Sequence, residues 1–195
     1  MPSVEDIINQ YGPAQHLSLA ELEAGLAKVH ASPKDGGALE LIVRRSAENM
    51  REAIDEANLD LELGLVGDSW KNRPSTRSAD GLAHPDMQLN IMNARFIDLI
   101  SQDRARWPLA GDQLFLDMDL SAANLPAGSQ LALGSAIIEV TDQPHTGCQK
   151  FVARFGLDAM KFVNSKLGRE LNLRGINAKV IQAGQIHLGD IAKKL

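Results

Sequence analysis

Leu19, Leu22, Leu26 and Val29 recur at intervals of three and four residues, the period at which side chains return to one face of a helix. Ser18 just ahead of them and Glu21 three residues later form a capping box, so "SLAELEAGLAKVHA" predicts a helix with that apolar face. "SPKDGG" breaks the pattern, and "ALELIVR" then alternates as a strand, with Leu39, Leu41 and Val43 on one side. From Arg51 to Leu63 the pattern is mixed and acidic. The segment "GLVGDSWKNRPSTRSADG", punctuated by Gly64, Gly67, Pro74 and Gly81, predicts a long loop without regular structure.

Further along, "MQLNIMN" predicts a strand, "ARFIDLIS" a short helix and "DQLFLDMDL" another strand. Gly128 and Gly134 bracket the strand "SQLAL", and "SAIIEV" follows as a mostly apolar one. One helix is expected from Leu157 to Leu167, offering Leu157, Met160, Val163 and Leu167 to a sheet. "INAKV" and "QIHLGD", separated by a turn at Gly184, predict a closing hairpin. Many short strands with glycine turns and few helices place the chain in the α+β class, mainly β, as a barrel or twisted sheet. The Ser32–Gly37 breaker divides an N-terminal helical arm, residues 1–37, from a β domain, residues 38–195.

Composition narrows the function. A chain of 195 residues that is 44% hydrophobic can bury one substantial core. Its net charge of −5 opposes a general nucleic-acid binder, which needs a basic excess to neutralise phosphates. One cysteine closes no intramolecular disulfide and suits a reducing compartment, so a cytoplasmic location is expected. The N-terminus lacks the apolar run of a signal peptide, and no stretch of about 18 apolar residues suggests a membrane span.

That cysteine, in "QPHTGCQKFVARF", is the first candidate for chemistry. Gly147 lets backbone approach closely, Lys150 and Arg154 favour a thiolate at Cys148, and His145 offers a proton relay or a further positive charge. These residues suit a sulfur carrier, a thiol nucleophile or a metal-ligating thiolate; the competing reading is a small buried core residue. His145 and Cys148 are two ligands, too few for a closed zinc site, and His16, His30, His84 and His187 show no companion spacing. "GDSWKNRPSTRS" combines Lys71, Arg73 and Arg77 with hydroxyl side chains, as an oxyanion or phosphate site would, or as a solvated surface loop would. Among Arg169, Arg174 and Lys179, Arg174 stands out beside Gly175 at the entry to a strand.

The order of these motifs resembles the MOSC domain family, named for the C-terminal domain of molybdenum cofactor sulfurases. The resemblance runs from Leu39 to Ile191, through "GLVGDSW", "GSQLALGSAIIEVT", "QPHTGCQKF" and "RGINAKVIQAGQIHLGD". It implies a β-barrel-like fold with a few peripheral helices, and it makes Cys148 by position the cysteine that carries sulfur or ligates molybdenum. His145 and Lys150 would assist that cysteine. Lys71, Arg73, Arg77, Arg154 and Arg174 would hold a molybdenum cofactor (molybdopterin) by its anionic groups, and Asp68, from the glycine-aspartate segment, would also belong to the cofactor site. The chain departs from the family pattern at His145 and Gly147, where arginine and proline are frequent, and at Trp70, where histidine is. Partners implied are a cysteine desulfurase, a pyridoxal phosphate enzyme that would supply sulfur, or a redox protein if the chain is a molybdenum-dependent reductase component. The alternative is a non-catalytic binding module of the same fold with Cys148 buried.

Overall fold

The computed structural model describes residues 1–195. The strand β1 (Gly37–Arg44) pairs along most of its length with β6 (Leu114–Asp117), which lies parallel to β5 (Leu89–Asn93). β9 (Ile176–Gln182) follows on the other edge of β5, then β8 (Ala136–Val140), β7 (Gln130–Leu133) and β11 (Ile191–Lys194), which returns to β1 and closes a seven-stranded barrel. All of these pairings are antiparallel except β5–β6. A parallel pair needs a crossover, and α3 (Ala94–Ser101) with the 3-10 helix Arg104–Ala110 supplies it. β2 (Glu52–Ile54) extends the sheet beside β1, while β3 (Glu56–Asp60), β4 (Gly64–Leu65) and β10 (Gly184–His187) form a separate small sheet.

Two cores share the barrel wall. Leu39, Ile42, Leu89, Ile91, Leu114 and Leu116 point into the barrel, while Val43, Met92 and Phe115 of the same strands point outward. The outward set packs on α1 (Val4–Tyr11), α2 (Leu19–His30) and α3, and on the helical run α4 (Gln149–Phe155), α5 (Leu157–Asn164) and α6 (Lys166–Glu170). Strands buried on both faces read as continuous apolar runs, which is why "LFL" and "IM" carry no alternation.

The capped helix forms as expected, burying Leu22, Leu26 and Val29, although Leu19 at its first position stays exposed. Other expectations are corrected. A bulge between Leu39 and Leu41 changes the phase of β1, so Leu39 faces the barrel while Leu41 and Val43 face the helices. β9 and β10 form no hairpin: β9 already has a neighbour on each edge, and β10 crosses over to pair with β3. The helix expected from Leu157 to Leu167 breaks at Ser165, whose extended backbone caps α6. Val163 is buried as expected, but Ala159 and Phe162 are buried in place of Leu157 and Leu167, which stay exposed. The segment from Gly64 to Gly81 contains β4 and a 3-10 turn at Trp70–Asn72. No helix is long and apolar enough to cross a membrane.

Candidate anion-binding site around Cys148

Cys148 stands at the junction of the loop leaving β8 and the first turn of α4. Its backbone is extended at the N-cap position, its side chain caps nothing, and the residue is exposed. A buried structural thiol therefore does not describe it. The preceding residue is anchored by Asn164 at the end of α5, whose Oδ1 accepts from the Gly147 amide at 3.0 Å and whose Nδ2 donates to the Gly147 carbonyl at 3.1 Å. A side chain at 147 would meet Val163 and Met160 within about 3.1 Å, so glycine is what lets the loop lie on α5.

The thiol opens on a cavity of about 670 Å³ that it shares with Arg45, Arg51, Arg73, Lys150, Arg154 and Arg174. Three of these cations have carboxylate partners: Arg45 with Asp68, Arg174 with Asp112, and Lys150 with Glu48. The other three bond only neutral oxygens. Arg51 donates to the carbonyls of Pro108 and Met50, Arg73 to Ser69 Oγ, and Arg154 to the Leu109 carbonyl. Burial, together with repulsion from Arg154, Arg45 and Arg73, lowers the Arg51 pKa to about 10. Burial likewise lowers Arg73 and Arg154. All three stay cationic at neutral pH, and this corner of an acidic protein carries unneutralised positive charge.

The turn Pro108–Asp112, where the 3-10 helix ends, organises four of the arginines. Its consecutive carbonyls each accept from a different one: Pro108 from Arg51 Nε at 3.2 Å, Leu109 from Arg154 Nη1 at 2.6 Å, Ala110 from Arg174 Nη2 at 3.1 Å and Gly111 from Arg45 Nη1 at 2.9 Å. Pro108 also accepts from the Gly111 amide at 3.1 Å, the last backbone bond of the 3-10 helix, and the carbonyls that follow lie past it, where Gly111, at φ 87°, turns the chain left-handed. Next in sequence, the fully buried Asp112 carboxylate accepts from Arg174 Nη1 at 2.9 and 2.7 Å and lies 2.9 Å from His145 Nε2. Burial pushes the Asp112 carboxyl up, but Arg174 and His145 outweigh it and leave it below the usual carboxylate range. Burial and the nearby Arg174 depress His145, which is neutral and donates to Asp112.

Of the residues singled out in the sequence, Cys148, Lys150, Arg73, Arg154 and Arg174 meet at this cavity. Asp68 does not: its buried carboxylate holds Arg45 through the backbone amide, Nε and Nη2 and also accepts from the Trp70 amide. Lys71 is exposed with Nζ 5.9 Å from the Trp70 ring centre. Arg77 is exposed and donates to the Pro144 carbonyl at 2.8 Å, tying its loop to the cysteine loop. His145 turns away from the cavity toward Asp112, so it adds no positive charge beside the thiol. Arg45, Arg51, Asp112 and Asn164 escaped the sequence reading. The basic pair at the end of the "LIVRR" run is a signal for Arg45; Asn164 has none. No cluster of three or more histidine, cysteine, aspartate or glutamate side chains is placed to hold a metal ion.

No protein-family model matches the sequence, and no curated protein does. Solved structures do resemble the fold. The YuaD protein from Bacillus subtilis superposes with a TM-score of 0.57 at 17% identity, covering 81% of this chain and 94% of its own. YiiM from Escherichia coli gives 0.54 at 20% identity over 81% of this chain and 69% of its own. YiiM from Geobacillus stearothermophilus gives 0.51 at 13% identity over 84% and 74%. YuaD and YiiM are MOSC-domain proteins, and the seven-stranded mixed barrel with its outer helices gives this chain a MOSC-type fold.

Proposed function

We propose that the protein binds a phosphate-bearing ligand of the molybdenum-cofactor type, with the phosphate on Arg51, Arg73 and Arg154 and the metal end toward Cys148. The observation that carries this reading is three guanidinium groups without carboxylate partners lining one cavity with an exposed thiol. Cations left unpaired at a part-buried site favour an anion, and guanidinium matches the oxygens of phosphate. The volume of about 670 Å³ lies in the range of small-molecule sites. A single thiolate cannot retain a bare metal ion, so any metal must arrive already chelated, as it does on a pterin; a thiolate is then a fitting soft ligand. Such a cofactor would supply a redox-active metal, and the chain would orient it and complete its ligand set. A redox partner protein would be required for reductase activity.

The test is metal and pterin analysis of protein made in a host that synthesises the cofactor. Wild type should carry molybdenum and pterin together, Cys148→Ala should lose metal before pterin, and Arg51→Ala with Arg154→Ala should lose both. Wild type and variants all devoid of molybdenum and pterin would sink the reading.

The exposure of Cys148 also favours sulfur carriage. Its thiolate would attack the outer sulfur of a donor cysteine persulfide, forming the Cys148 persulfide and releasing the donor thiolate. With a cysteine desulfurase and cysteine, intact-mass spectrometry should then find one added sulfur, removable by a thiol reductant and absent in Cys148→Ser. An unmodified wild type, where a known carrier is loaded, removes this reading.

A further inference from the structure

We infer that the turn Pro108–Asp112 is the positioning element of the anion site, and that Gly111 is the residue that determines its affinity for a multiply charged oxyanion. This rests on the anion-binding reading above. An arginine can be fixed in two ways. A carboxylate partner fixes its direction and cancels its charge, whereas a backbone carbonyl fixes its direction and leaves the charge for a ligand. Both solutions occur here, and they are divided by role. Arg45 and Arg174 take a carbonyl each and also a carboxylate, Asp68 or Asp112, and form the rigid floor. Arg51 and Arg154 take carbonyls of the same turn and no carboxylate. Four carbonyls in a row, 108 to 111, thus set four guanidinium groups in one array, of which two keep their full charge.

Gly111 is the residue on which this array depends. Its φ of 87° lies where L side chains are strained, and a Cβ there would come within 3.3 Å of Arg51 Nη2 and 3.7 Å of Arg154 Nη1. Of the four arginines on this turn, those are the two without carboxylate partners. An added methyl group therefore presses on Arg51 Nη2, which must give by a few tenths of an ångström, and touches Arg154 Nη1 at ordinary van der Waals distance. The site so built suits a group with two or more negative charges spread over several oxygens, such as a phosphate monoester, better than a monoanion.

The experiment is calorimetric titration of the full chain with inorganic phosphate at low salt. Gly111→Ala should weaken binding by about tenfold or more, the equivalent of one charge-assisted hydrogen bond. Gly128→Ala controls for backbone strain, because Gly128 has nearly the same φ, 89°, with nothing within 4 Å of its Cβ, and it lies outside the cavity. Its affinity should match wild type. Arg154→Lys keeps the charge but loses the fixed guanidinium geometry, and it should also weaken binding by about tenfold. Phosphate affinity retained in Gly111→Ala or in Arg154→Lys overturns the inference while leaving anion binding intact. If Gly111→Ala does not fold, Gly111→Asn, a residue that tolerates positive φ, takes its place, and phosphate affinity retained there overturns the inference. Wild type that binds no phosphate fails at the earlier step and takes this inference with it.

Discussion

Asp112 keeps a negative charge out of contact with water because Arg174 and His145 surround it. Removing one member of a buried ion pair strands the other, so Asp112→Asn should cost about 3 to 5 kcal/mol, read as a lower urea midpoint. The same contacts set the response to acid. His145 has a folded pKa below its unfolded value near 6.5, so the unfolded chain takes up its proton first. The stability it contributes is complete above about pH 6.5 and is lost as pH falls toward the folded value. Asp112 is also depressed; its contribution is complete above about pH 3.9 and is lost as pH falls through the folded value. Urea unfolding across pH should show the first decline in wild type and not in His145→Gln. A decline of equal size in both would mean another group titrates there. These links were hidden in the sequence because they are remote: His145 is 33 residues from Asp112, and Arg51 reaches 57 residues to Pro108. Cys148, Arg154 and Arg174 were legible because local composition alone set them apart.

Elements place these side chains where they act. Periodicity revealed α2, α3 and most barrel strands, whose apolar faces are long enough to show a pattern. It missed α4, a seven-residue helix, and β11, whose pattern of one buried residue among exposed ones says nothing of closing a barrel. It also ran α5 into α6, since Ser165 carries no strong breaking signal and takes effect as a cap, its Oγ accepting from the Gly168 amide at 3.0 Å. Ending α5 at Asn164 is what brings that amide side chain to Gly147, and so holds the entry to Cys148. Asn164→Ala should lose two hydrogen bonds, destabilise by about 1 to 3 kcal/mol, and speed amide exchange at Gly147 more than at the barrel strands. Unchanged exchange at Gly147 would show that packing on Val163 and Met160 holds the loop by itself.

For the whole molecule, the informative quantity is the distribution of charge. A chain with a net charge of −5 holds three cations without carboxylate partners in one cavity, although the average surface would repel an anion. A net negative charge opposes general nucleic-acid binding and leaves a local basic patch open, but it could not place this one, because Arg51, Arg73 and Arg154 come from three distant segments and are gathered only by the fold. In the free protein these guanidinium groups repel one another, a repulsion that adds to burial in lowering the Arg51 pKa. A bound dianion converts that repulsion into attraction, and a ligand that binds only the folded state raises its stability. At a phosphate concentration one hundred times the dissociation constant the gain is about 2.7 kcal/mol. For a chain of this size it corresponds to a rise in Tm of roughly 5 to 10 °C. Sodium chloride at equal ionic strength screens the repulsion without occupying the site, so it should produce only a fraction of that rise. Thermal unfolding of wild type in phosphate against chloride should show the difference, and Arg51→Ala with Arg154→Ala should abolish it. A phosphate effect that survives in the double variant, or that chloride reproduces in wild type, would mean the arginines are stabilised by general screening and the cavity binds no anion.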